Sequence, residues 1–155
     1  MTLLRIDATI QGPASASAAL ADLVLEEFRA ARPDVPVVNR HLGVEPLPAD
    51  AWPNAIGGSF TPEAERSAAQ VEALALAGRL VAELQEADAV VLAFPLYNFG
   101  VSQHVKTWFD LVLAGVETGT RLLDGKPVVL VTTRGGAYGE GTPRAGWDHS
   151  TGYVC

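Results

Sequence analysis

Cysteine is nearly missing from this chain of 155 residues: there is one, Cys155, at the last position. That excludes an internal disulfide framework and a thiolate zinc cage, and it fits a reducing compartment, so the expected location is the cytoplasm. Basic charge is also scarce. Eleven Lys and Arg face eighteen Asp and Glu, for a formal net charge of −7, and no basic run occurs, which argues against nucleic acid or an anionic membrane as a broad partner. No apolar stretch approaches the ~18 residues of a membrane span, and Arg5 and Asp7 interrupt the start where a signal peptide would stay apolar. The three histidines, His41, His104 and His149, have no metal-ligand spacing, so no metal site is expected. What is present is an ordinary globular composition, 48% hydrophobic and 19% charged, predicting one domain over residues 1–155 with a small-molecule partner.

Hydrophobic periodicity organises the chain into alternating elements. Leu3 to Ile6 is a short apolar strand, and Ala14 to Ala31 follows with Leu20, Val24 and Phe28 at helical spacing until Pro33 and Pro36 stop it. Pro36 to Arg40 has the β-branched content of a second strand. Gly43 to Phe60, with prolines at 46, 48 and 53 and the pair Gly57-Gly58, is expected to be a long irregular loop. Thr61-Pro62-Glu63 has the composition of a helix start, hydroxyl then proline then acid, predicting a helix to about Glu86. Ala89 to Phe94 is an unbroken apolar run, the mark of a strand covered on both faces. Val101, Val105, Trp108, Phe109 and Val112 then define an amphipathic helix capped by Ser102, and Pro127 to Thr132 a further apolar strand. The order predicts an α/β fold, a parallel sheet with helices on both faces joined by right-handed crossovers.

In such a sheet, ligands bind beyond the carboxyl ends of the strands, so three loops are informative. The first, residues 8–17, lacks both the Gly-x-x-x-x-Gly-Lys and the Gly-x-Gly-x-x-Gly patterns and offers hydroxyls instead. Ser15 and Ser17 stand at a helix start, either as caps or as donors to a phosphate beside the free N–H groups. The second, Pro95-Leu96-Tyr97-Asn98-Phe99-Gly100, presents two rings and an amide, either as core and turn or as the seat of a flat heteroaromatic ring. The third, Thr133-Arg134-Gly135-Gly136-Ala137-Tyr138-Gly139, is glycine-rich and permits close backbone approach to a ligand. One phosphate site and one aromatic seat on the same edge describe a mononucleotide cofactor with a planar ring.

Pro95 to Phe99 with Lys106 and Phe109-Asp110, Thr133 to Gly136 after the next strand, and Ser15-Ala16-Ser17 near the start resemble the FMN-dependent NADH-azoreductase family, flavodoxin-like quinone and azo-compound reductases. The resemblance covers essentially the whole chain. It implies a flavodoxin-like three-layer α/β/α fold, non-covalent FMN, NADH or NADPH as reductant, ping-pong hydride transfer to a quinone or azo compound, and a homodimer. By residue it implies phosphate contacts from Ser15 and Ser17, ring and ribityl contacts from Pro95, Leu96, Tyr97, Asn98 and Phe99, and contacts to the ring's polar edge from Thr133, Arg134, Gly135 and Gly136.

The chain departs from that pattern in three places. Where relatives have serine soon after the first strand it has Ala8 and Thr9, so Thr9 is the candidate hydroxyl donor. Residues 116–124 form a short segment without the aromatic residues that cover the flavin in many relatives. The family pattern continues past residue 155 through another helix, a fifth strand and a final helix, so the domain is expected to be incomplete at its C-terminus, leaving the strand at 128–132 as a sheet edge. Two further readings are an FMN-binding electron carrier without a hydride-donor pocket and a non-catalytic relative that keeps only the fold. If the reductase reading holds, the chemistry belongs to the flavin, and no side-chain nucleophile or acid-base dyad is expected.

Overall fold

Successive residues of β1 (Leu3–Asp7) point to opposite faces of a sheet, and both faces are buried: Leu4 and Ile6 enter one apolar cluster and Leu3 another. This is the strand at the centre of the molecule. The computed structural model describes the backbone of residues 1–155 and every side chain except that of Pro13. Here β1 pairs in parallel with β2 (Val37–His41) on one side and β3 (Ala89–Pro95) on the other, and β3 pairs with β4 (Val128–Thr133), giving the order β2-β1-β3-β4. The unbroken apolar run of β3 is buried on both faces, as its lack of alternation predicts.

The two faces are covered differently. Ala21 and Leu25 of α1 (Ala16–Ala31) pack on Leu3, Val91, Ala93 and Val131. On the opposite face α2 (Ala51–Phe60), α3 (Ala68–Glu86) and α4 (Gln103–Gly115) close over Leu4, Ile6, Val90, Leu92 and Phe94. Because the chain leaves β1 for α1 and leaves β3 for α4, the connections diverge to opposite faces between these neighbouring strands. That divergence opens a crevice at their carboxyl ends.

The structure corrects the reading of residues 43–60. Instead of an irregular loop throughout, residues 51–60 are helix α2. Pro53 lies in its first turn, where N–H groups have no intrahelical partner, so the ring interrupts nothing. The glycine pair serves packing: a Cβ on Gly58 would lie 2.9 Å from Leu74 Cδ1 of α3, so the glycine allows the two helices to approach closely. The start of α3 is corrected as well. Thr61-Pro62-Glu63 leads only into a short 3₁₀ turn, and the helix begins after Ser67, whose Oγ accepts from Gln70 N–H (3.2 Å) while Gln70 Oε1 accepts from Ser67 N–H (2.9 Å). This reciprocal capping box prevails over the Thr-Pro-Glu signal because it satisfies two otherwise free donors, and the Thr61 hydroxyl instead donates to the Gly57 carbonyl (2.8 Å).

Ser102 caps α4 as expected, and α4 carries a Lys106–Asp110 ion pair one turn apart. The segment after α4 runs back toward the amino ends of the strands, where Leu122 and Leu123 lie near Leu84 and Trp108. Lys126 Nζ there donates to the carbonyls of Leu84 (2.7 Å) and Gln85 (2.8 Å), closing the C-terminal turn of α3. A short helix, α5 (Thr151–Val154), follows β4 and sets Tyr153 edge-on to Phe109 of α4.

Candidate functional site

The loop after β1 passes through a short 3₁₀ turn and enters α1 at Ser15. Ser15 Oγ accepts from Ala18 N–H at 3.2 Å and lies 3.1 Å from Ser17 Oγ, both serines being buried. Helix capping and a hydroxyl pair at the helix N-terminus are therefore the same feature. Other N–H groups of this first turn have no carbonyl below them, and the helix dipole places partial positive charge there.

The loop after β3 is tied to this one through a single phenol. The Tyr97 hydroxyl accepts from Ile10 N–H at 3.2 Å and lies 3.5 Å from Thr9 Oγ1, and Thr9 Oγ1 in turn accepts from Gln11 N–H at 3.1 Å. Tyr97 and Gly100 then exchange backbone hydrogen bonds of 3.0 and 2.9 Å around Asn98 and Phe99. Both central residues have positive φ, 47° and 69°, the pattern of a tight hairpin turn in which Asn is tolerated and Phe is strained. Strain of this kind persists only where surrounding contacts over-determine it. The third loop joins through Leu96 N–H, which donates to the Thr133 carbonyl at 2.8 Å.

Together the three loops enclose a groove of about 370 Å³ that runs from Ser15 past Pro95, Leu96 and Tyr97 to Thr133, Arg134 and Gly135. Its lining holds one cation and no carboxylate. A second groove of about 390 Å³ shares Tyr97 and includes Asn98, Ser102 and His104. Volumes in this range suit a small ligand.

Charged braces fix the walls. Arg5, buried within β1, donates from Nε to Asp7 Oδ2 (2.6 Å), from a terminal nitrogen to Asp22 Oδ1 (2.5 Å), and to the Ala18 carbonyl (3.2 Å). Burial would lower its pKa, but the bonds to Asp7 and Asp22 outweigh burial and hold the guanidinium charged. Arg5 thus fastens the first turns of α1 to the sheet. Arg134 donates to Asp148 (2.8 Å) and to the Thr151 hydroxyl (2.8 Å). Asp148 also accepts from the N–H and hydroxyl groups of both Ser150 and Thr151. Burial would raise the Asp148 pKa, yet the bonds from Thr151, Ser150 and Arg134 hold it well below the usual carboxylate range.

Of the residues singled out in the sequence, Ser15, Pro95, Leu96, Tyr97, Thr133, Arg134 and Gly135 line the first groove and Asn98 the second. Ser17 is fully buried behind Ser15, and Thr9 stands behind Tyr97. Gly136 faces the Arg144 guanidinium, 2.7 Å from where a Cβ would be. Phe99 turns toward Tyr138 of the third loop at 6.3 Å and, edge-on at 5.4 Å, toward Trp147, which periodicity and loop position left aside. The Arg5 brace and the Asp148 cluster were likewise not evident, since neither follows from spacing along the chain.

A parallel sheet with its topological switch between β1 and β3, serines at a helix N-terminus and an aromatic turn at the carboxyl edge define a flavodoxin-like α/β protein with a small-ligand site. Residues 1–154 match the family model described as flavodoxin-like fold, and the chain belongs to that family. It is 37% identical over 158 residues to a protein of Frankia casuarinae named FMN-dependent NADH:quinone oxidoreductase, an alignment covering 99% of this chain and 74% of the relative. A Methylorubrum extorquens protein of the same name is 37% identical over 168 residues, covering 99% and 78%. Among solved structures, an azoreductase from Bacillus anthracis superposes with a TM-score of 0.78 at 26% identity, and the azoreductase AzrA with 0.81 at 27%, each covering 99% of this chain and 78% of the other.

Proposed function

We propose that residues 1–155 act as one FMN-binding unit of an NAD(P)H-dependent oxidoreductase that reduces quinones or azo compounds. The observation that carries this reading is the groove joining the Ser15 helix N-terminus to the Tyr97-Asn98 turn and the Thr133–Gly135 strand end. The donor set suits FMN. Hydroxyls, helical N–H groups and an absence of carboxylate along the groove favour a phosphate at the α1 end. Backbone groups of 98 and 134–135, with the Asn98 amide, can hydrogen-bond a planar heterocycle's polar edge beside Tyr97, while those of Leu96, Tyr97 and Thr133 hold the loops together.

FMN when bound supplies the redox chemistry, exchanging hydride with a reduced nicotinamide and with a quinone or azo acceptor. The chain's own residues bind, orient and enclose. Ser15 and Ser17 anchor the phosphate end, Tyr97 locks the first two loops together through its hydroxyl, and the strained turn aims Asn98 outward. Donor and acceptor share one open edge, so they take turns in ping-pong order. A second copy of the chain is the proposed partner, favoured by the exposed apolar face of α2 that carries Trp52, Ile56 and Phe60. The cytoplasm is the proposed location, in keeping with the one exposed cysteine.

Asn98→Gly tests the reading at the ring, because glycine accepts the positive φ while losing the amide. One lost hydrogen bond corresponds to about 1 kcal/mol, so FMN affinity, read by quenching of flavin fluorescence on titration, should fall about fivefold. Unchanged affinity would remove Asn98 from the ring's contacts, and no FMN binding by the unmodified chain would refute the function.

A further inference from the structure

The segment between β4 and α5 leaves the first groove at Arg134 and returns to the Tyr97–Gly100 turn at Phe99, next to Asn98, which lines the second groove. His149 N–H donates to the Phe99 carbonyl at 2.9 Å, and Trp147 meets the Phe99 ring edge-on at 5.4 Å. Tyr138 approaches the same ring at 6.3 Å and carries the Arg144 guanidinium over its own face at 5.7 Å. Three aromatic side chains thus gather beside the candidate ring seat.

This cluster does not pack as a core would. Trp147 remains 50% exposed and Phe99 39%, although each large ring left in water forgoes favourable burial. Its frame is nonetheless firmly built. Asp148, next to Trp147, accepts four hydrogen bonds from Ser150 and Thr151 besides those from Arg134, and Ser150 is fully buried. A rigid support under exposed rings is what a stacking surface for a flat ligand requires, since little conformational entropy is then lost on binding. Residues 116–124 do not supply it: they contain no aromatic residue, and Leu122 and Leu123 lie toward the opposite end of the sheet.

We infer that Trp147, supported by Phe99 and Tyr138, is a specificity-determining residue that holds planar aromatic acceptors, quinones of two or more fused rings, at the mouth of the flavin site. The inference rests on the function proposed above and adds the residue that selects the acceptor. Trp147 offers the largest exposed π-face of the three and stacks with an electron-poor quinone ring, an interaction of about 0.5–1.5 kcal/mol beyond area burial.

The test compares 1,4-naphthoquinone with ferricyanide, an octahedral anion that cannot stack, as acceptors for the FMN-loaded full chain and its variants. In Trp147→Ala the ratio of kcat/KM for naphthoquinone to that for ferricyanide should fall about tenfold, carried by KM, whereas Trp147→Phe should stay within about twofold of the unmodified protein. Trp147→Leu, which keeps bulk without a π-face, should behave like the alanine variant. A ratio that does not change, or a loss of both activities in parallel with FMN release, would make Trp147 a structural brace and overturn the inference. Saturable quenching by naphthoquinone of the emission contributed by Trp147, taken as the difference between the unmodified chain and Trp147→Phe, provides a readout independent of turnover. If FMN binding fails while this quenching persists, the flavin reading falls and the stacking surface stands; if flavin chemistry persists and no quenching is lost in the variant, the stacking surface falls alone.

Discussion

Arg5 has the most consequential single side chain outside the groove. Placed mid-strand, it would be an expensive charge to bury were it not met by Asp7 beside it and Asp22 on α1. Arg5→Met leaves Asp7 buried without its cation, and the loss should be about 3 kcal/mol, read as a lower urea midpoint. Arg5→Met with Asp7→Leu should recover much of that loss by replacing the pair with apolar packing. Asp148 yields a pH prediction. Its folded pKa lies below its unfolded value, so its contribution is complete above the unfolded pKa of about 4 and is lost as pH falls toward the folded pKa. The share of tryptophan fluorescence that Trp147→Phe removes should hold steady from neutral pH to about 4 and change only in stronger acid, and Asp148→Asn should show the acid form's spectrum at neutral pH. The hydroxyls and the Asn98 amide were readable from their loops because residue type and position beside a strand end already limit their roles. Arg5 could be read only as a charge in an apolar run, since its partners are brought to it by the packing of α1.

Among the elements, β3, α1 and α4 were legible because each carries a helical period or an unbroken apolar run, with the caps at Ser15 and Ser102 in agreement, and β1 as a short apolar run around Arg5. Helix α2 was not. Its proline and glycines read as breakers, yet Pro53 falls in the first turn, where it interrupts no hydrogen bond, and Gly58 is spent on the approach to Leu74. Gly58→Val would place branched carbons against Leu74, forcing α2 off α3; destabilisation of about 1–3 kcal/mol is expected, measurable as a lower thermal midpoint. At the start of α3 two signals competed, and the capping box at Ser67–Gln70 satisfies donors that Thr61 leaves unpaired.

On the scale of the whole molecule, the sheet holds its faces unequally, three helices on one side and α1 on the other, while β4 presents the half-exposed Val128 and Val129 at the sheet edge. The crevice between β1 and β3 follows from connectivity alone: their chains depart to opposite faces, and all three loops of the candidate site meet where they part. The activity proposed for this site is FMN-dependent transfer from a reduced nicotinamide to a quinone or azo acceptor. The most direct measurement is the visible absorbance of the FMN-loaded full chain mixed anaerobically with NADH and then with a quinone. The account predicts bleaching of the flavin band on the first addition and its return on the second; a band that NADH leaves unchanged would contradict it.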